Sequence, residues 1–217
     1  DRNWGTVPGV LTLREQSINA DDFHIVFEMR HQRDEIDFSW VGTITGDSAG
    51  DSLGKCVFEF DGVANSTFES NRIGFCVLHP ASAAGQACFI EHTDSSLKES
   101  PFPRLISPYQ PFFDIRDIGH EFAAGIRSVV EMDGDVFEME DQRNWTDASF
   151  KTYCTPLRIP YPVEVTPGQE IRQAVTIEVF GEGSSTGSGV GAESNGLTVD
   201  LSRRARLPAL GFGAGGT

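Results

Sequence analysis

Residues 138–153 read EMEDQRNWTDASFKTY. Glu138, Glu140, Asp141, Arg143, Asp147 and Lys151 stand there around Gln142, Asn144 and Trp145. Dense donors and acceptors beside one indole suit a polyol, whose hydroxyls need hydrogen-bond partners and whose apolar face needs an aromatic ring. The same residues would also serve as a satisfied ion-pair network closing a loop over a β-sheet, since clustered charges are often structural. The run reads as too polar for a core strand and has too little 3.6-residue period for an amphipathic helix. It also lacks the Gly, Pro and Ser of an idle linker.

The elements that must position this stretch are strands. Segments 9–19 and 22–30 alternate apolar and polar residues, 37–46 is a third strand, and 170–181 is among the clearer ones. DSAGDSLG, 47–54, is a turn. Alternation over 55–71 predicts one long strand, bent near Gly62. RIGFCVLHP, 72–80, must stop at Pro80, which cannot continue a central strand. Residues 86–94 form a further strand, and the prolines of 100–118 favour extended or irregular backbone. Residues 120–131 and 134–139 read as a hairpin turning at Asp133-Gly134, followed by an extended segment over YCTPLRIPYPVEV and a turn at 166–170. Many short alternating segments between turn signals predict an all-β protein, a large antiparallel β-sandwich of two stacked sheets with few or no long helices.

The 217 residues carry a formal net charge of −15, which argues against nucleic acid or an anionic membrane as partner. No apolar run approaches a membrane span, and DRNWGTVPG at the start has neither the basic nor the apolar region of a signal peptide. Cys56, Cys76, Cys88 and Cys154 are widely spaced and match no zinc pattern. They read as free, buried thiols acting as small hydrophobes, which points to a reducing, cytoplasmic compartment. The histidines lack the short spacing of a metal site, so neither metal nor cofactor is expected. His24 and His31 sit in or beside an ordinary strand, and Trp4 and Trp40 read as packing residues. No G-x-S-x-G elbow supports a serine esterase. The glycine- and serine-rich stretch 181–196 reads as a flexible loop, 197–202 as a last strand, and LPALGFG as the opening of another domain.

SNRIGFCVLHP, IEHTD, FPRLISPYQPF, GDVFEMEDQRNWTDASFKTY and PYPVEVTPGQEIRQAVTIEV together resemble the N-terminal region of the D-apionate lactonase family. The resemblance covers roughly 50–205, and EMEDQRNWTDASFKTY is its most specific part. It implies hydrolysis of a sugar lactone, D-apionolactone, to D-apionate by a longer enzyme with a barrel-like catalytic domain downstream. On that reading 1–205 is one β-sandwich domain and 206–217 begins the next. No catalytic residue is then expected here, because the catalytic carboxylates lie beyond Thr217. The implied partners are a sugar or sugar lactone and the downstream domain of the same chain.

A looser resemblance is to the galactose-mutarotase-like supersandwich, where an Arg follows an Asn near a strand start and a His ends a later strand. Asn71-Arg72 and Leu78-His79-Pro80 are similar to that arrangement. It implies His79 and His92 as acids and Glu138 or Glu140 as base, in ring opening by proton transfer. The alternatives are thus an autonomous mutarotase-like epimerase or a non-catalytic carbohydrate-binding module. On the scaffold reading Arg72, Asp141, Arg143, Asn144, Trp145, Asp147 and Lys151 form a substrate-binding or structural network, with Arg72 bridging the carboxylates of the polar stretch.

Overall fold

The computed structural model describes residues 1–48 and 52–181. The segments 181–196, 197–202 and 206–217 singled out above lie outside them, apart from Gly181, which ends the last strand. Fourteen strands are described: β1 Gly9–Ile18, β2 Asp22–Arg33, β3 Ile36–Asp47, β4 Gly54–Ala64, β5 Phe68–Ser70, β6 Cys76–Pro80, β7 Ala87–His92, β8 Leu97–Pro101, β9 Ile115–Ala123, β10 Ile126–Asp133, β11 Phe137–Asp141, β12 Ser149–Cys154, β13 Val163–Val165 and β14 Glu170–Gly181. Helix among the described residues is confined to two short 3-10 turns, Ala81–Ala83 and Gln142–Trp145. None of it is long and apolar enough to cross a membrane.

Every pairing is antiparallel, in the order β1-β2-β3-β4-β14-β10-β9, with β7 and then β8 beyond β9. A single bridge, Phe137 opposite Ile115, carries the sheet on to β11, β12 and β6. Opposed residues share a face, so the register defines one inner surface. It runs through Phe27 and Met29, then Phe38 and Trp40, Phe58 and Phe60, Val175, Met132 and Val130, Ile118, and Ile90. Two layers cover it. The β11–β12–β6 arm lays Phe137, Met139 and Phe150 into one core with Ile90, Ile115 and Ile118. The ribbon β5–β13 supplies Phe68 and Val165 to a second core with Phe38 and Phe60. Phe75 packs against both, so the two cores are contiguous. Gly42 lets the sheet fill closely, because a Cβ there would lie 2.3 Å from the Phe27 ring.

The all-β, antiparallel, two-layer expectation agrees with this architecture. Four local readings need correction. The long strand over 55–71 does not bend at Gly62; it stops at Ala64 and resumes as β5. β8, LKESP, falls between the strand expected over 86–94 and the extended or irregular segment expected from 100; it is an exposed, polar edge strand, which carries little alternation signal. The hairpin turns at Ala124-Gly125, with Gly125 at φ +72°, where β9 and β10 pair. Asp133-Gly134 instead sends the chain across to the covering arm, and only glycine fits there, since a Cβ would sit 2.0 Å from the Arg172 carbonyl oxygen at φ +90°.

The last correction concerns 138–153, which is two paired strands joined by a 3-10 turn, with Glu138 and Asp141 among the most buried residues. Glu138 and Asp141 are buried because each has a partner, Tyr153 across the strand pair for Glu138 and Arg143 two residues on for Asp141.

Candidate functional site

Strand parity sorts the polar stretch into two faces. Phe137, Met139 and Asp141 on β11 stand opposite Cys154, Thr152 and Phe150 on β12, on the core side. Glu138 and Glu140 stand opposite Tyr153 and Lys151 on the other side. Asp141 lies where the inner face ends, and Arg143 folds back over it. The guanidinium gives Asp141 two hydrogen bonds, 2.8 Å from Nε and 2.7 Å from Nη2, and the Ser107 backbone N–H adds a third at 2.8 Å. Arg143 also donates to the carbonyls of Pro103 (2.8 Å), Arg104 and Leu105 (both 3.3 Å), and lies 4.5 Å over the Phe150 ring. Burial works against the charged carboxylate, yet the bonds from Arg143 and Ser107 outweigh it and hold Asp141 below the usual carboxylate pKa. The same bond holds the Arg143 pKa up.

On the opposite face Glu138 is 1 % exposed. It accepts from Tyr153 Oη at 2.6 Å and from the Leu157 backbone N–H at 2.7 Å. Burial, then that bond, pushes the Tyr153 phenol up, so it stays a donor. Glu140 accepts from Gln142 Nε2 (2.7 Å) and Trp145 Nε1 (2.9 Å), with Lys151 Nζ at 3.5 Å. Trp145 is 66 % exposed, and Asn144 and Asp147 are exposed beside it. Asp147 accepts from the Ala148 N–H.

The histidines lie elsewhere. His79, on β6, is buried, and its Nε2 is 3.0 Å from Thr152 Oγ1. Burial, with His120 beside it at 5.8 Å between ring centres, brings its pKa down to about 4. His92 ends β7 and its Nδ1 is 2.9 Å from the Phe113 carbonyl. His79, His92, Glu138 and Glu140 are thus each engaged by a different group of the protein. Arg72 does not bridge the carboxylates of the polar stretch. It donates to the carbonyls of Asn71 (2.5 Å) and Pro156 (2.9 Å), and its guanidinium lies 5.0 Å from the Tyr161 ring and 5.6 Å from the Trp4 ring.

Sequence reasoning missed what surrounds Arg72. A cavity of about 530 Å³ opens on the inner face, lined by Trp4, His31, Phe38, Trp40, Phe60, Asn71 and Arg72 among others. Trp4 was read as a packing residue; it is 55 % exposed and walls this cavity, edge-on to Tyr161. The parity of Phe38 and Trp40 on one strand was a signal for part of this wall, whereas nothing in the sequence brings Trp4 or Tyr161 to it.

The four cysteines are free. Burial pushes the Cys88 and Cys154 thiols up to about 12. Cys56 is half-buried, and Cys76, on the outer face of edge strand β6, is exposed, which corrects the reading of four buried thiols. Among the described residues no cluster of three or more His, Cys, Asp or Glu is arranged to hold a metal.

Comparison with known proteins now decides the family, because the model of the D-apionate lactonase N-terminal domain matches residues 1–182. The chain belongs to that family. It is 35 % identical over 217 residues to a D-apionate lactonase of Brucella anthropi, covering 98 % of this chain and 34 % of the relative. A D-apionate lactonase N-terminal domain therefore accounts for the described β-structure, and the chain spans about a third of the length of the relative it matches. A solved aldose epimerase homologue from C. elegans aligns over 77 % of this chain and 68 % of its own, with 7 % identity and a TM-score of 0.43.

Proposed function

We propose that this domain supports a catalytic domain on the same polypeptide in a sugar-lactone hydrolase that converts D-apionolactone to D-apionate, and that it has no complete active site of its own. The family membership supplies the reaction, and the relative's further two-thirds of length leaves room for a separate catalytic part. The observation that carries the non-catalytic reading is the engagement of each candidate acid and base. A general base must reach a substrate proton, whereas Glu138 is closed in by Tyr153 and Leu157, and His79 by Thr152. Arg143 and Asp141 act as a clasp pinning residues 103–107 to the arm. Asn144, Trp145 and Asp147 form the exposed rim of that arm, the part suited to a sugar lactone or to the neighbouring domain. Four unpaired thiols favour a reducing, cytoplasmic setting.

The test is lactone hydrolysis followed by acid release. The 217-residue chain leaves D-apionolactone at its background rate, and the longer polypeptide turns it over. Turnover by the 217-residue chain that disappears in Glu138→Gln or Glu140→Gln would overturn this reading.

A further inference from the structure

We infer that β1 pairs edge to edge with β1 of a second copy of this chain, giving a two-fold dimer joined through one continuous sheet. Among the described residues the large sheet has three open edges, β1, β6 and β8. An open edge presents unpaired N–H and C=O groups that recruit another strand, so edges left bare are kept short or carry Lys or Pro. β6 and β8 are five residues each; β6 ends at Pro80, and β8 holds Lys98 and Pro101. β1, GVLTLREQSI, is ten residues long and holds neither Lys nor Pro. All ten are exposed, and Leu11, Leu13 and Ile18 are each more than half exposed.

The register on β2 fixes which way these side chains face. Leu11 stands opposite Met29 and Leu13 opposite Phe27, on the inner surface. A bulge at Arg14 then shifts the count by one, so Gln16 and Ile18, opposite Ile25 and Phe23, return to that surface. Thr12, Glu15 and Ser17, opposite Glu28, Val26 and His24, belong to the outer face.

Read against itself in the antiparallel sense, the strand is self-complementary. With the two-fold axis between Arg14 and Glu15, Leu11 meets the second copy's Ile18, Thr12 its Ser17, Leu13 its Gln16 and Arg14 its Glu15. Inner residues then face inner ones and outer residues outer ones, so the two inner surfaces continue into one another. The pairs Leu11–Ile18 and Arg14–Glu15 are each stabilising across a ladder, and the symmetry makes each of them twice. A slip of one residue either way opposes Arg14 to Arg14 or Glu15 to Glu15 and sets inner residues against outer ones, so this register is the favoured one. On a chain of net charge −15, β1 carries one Arg and one Glu, a neutral edge that does not repel its own copy. Arg14 bonds Glu28 and Glu15 lies 3.9 Å from His24, yet their side chains stay 53 % and 70 % exposed and can be reached from outside. The bulges of both copies fall at the axis, so both strands bend in the same place. The contact is independent of the lactone chemistry proposed above.

Sedimentation equilibrium of the purified chain tests it, with thermal melting checking that each variant is folded. The unmodified chain sediments at twice its 23.7 kDa, and amide exchange over 11–18 slows as its concentration rises. Arg14→Glu alone, or Glu15→Arg alone, sets like charges opposite each other twice and weakens the dimer at least tenfold. Mixing those two variants in equal amounts restores it, because one copy then offers two cations and the other two anions. Leu11→Lys weakens the dimer as well, by placing a charge where Ile18 of the second copy packs. A chain that stays monomeric at every concentration, a dimer indifferent to these substitutions, a mixture of the two charge variants that does not pair, or β1 amides that exchange at one rate at all concentrations overturns the inference. A longer polypeptide that protects β1 while remaining monomeric also overturns it, by giving this edge to a further part of the same chain.

Discussion

Replacing Arg143 by Ala isolates the clasp. Asp141 is wholly buried and Arg143 is 16 % exposed at its side chain, so water does little of the work in this pair. Removing the guanidinium leaves a buried carboxylate with only the Ser107 and Arg143 backbone N–H groups, and frees three carbonyls of 103–105. Breaking a buried pair from one side costs roughly 3–5 kcal/mol. For a domain of this size each kcal/mol lowers Tm by about 2–4 °C, so the expected fall is on the order of 6–20 °C. Urea unfolding of Arg143→Ala, Asp141→Asn and the double variant completes the cycle. The double variant should lose less than the sum of the singles, because the second change removes the charge that the first left stranded. A loss in Arg143→Ala below about 1 kcal/mol, the worth of an exposed pair, would show that the contact is incidental, and the clasp would have to be given up.

Two further outcomes follow from groups in the cores. His79, held down to about 4 by burial and by His120, binds its proton less readily folded than unfolded, where about 6.5 is usual. The unfolded chain therefore takes up the proton first as pH falls, so stability is complete above about 6.5 and is lost through the window down to about 4; urea unfolding at pH 7.5 and 4.5 should differ by roughly 2–3 kcal/mol more than in His79→Gln, and equal differences would refute this. With a thiol reagent at neutral pH, exposed Cys76 should react first, and Cys88 and Cys154 only at the rate of unfolding; modification of Cys88 or Cys154 as fast as Cys76 would contradict their burial.

Strands β2 to β4 and β14 were legible because each keeps a two-residue period for about ten residues or more, a signal that neighbours cannot erase, whereas in β1 a bulge between Leu13 and Glu15 interrupts the alternation. β8 was illegible for the opposite reason: on an exposed edge, neither face has to be apolar. The turn between β9 and β10 was misplaced because two glycines nine residues apart both take positive φ, and sequence alone does not say which of them closes a hairpin.

The polar stretch was the more instructive failure. Its period of two is intact: Phe137, Met139 and Asp141 alternate with Glu138 and Glu140. What hides it is that the inner set ends in a carboxylate and the outer set begins with a buried one. Hydropathy scores each residue against water, whereas Asp141 answers to Arg143 and Glu138 to Tyr153. A charged residue is compatible with a core strand whenever its counter-group is two positions on or directly across the ladder, and both arrangements are written in the sequence as D-x-R and as the facing E and Y. The cavity at Arg72 marks where such local reading stops. Asn71 and Arg72 are adjacent and could be singled out, but Trp4, Trp40 and Tyr161 reach them from three separate parts of the chain. Arg72 finds no carboxylate among the described residues, and that absence became visible only once every neighbour had been placed.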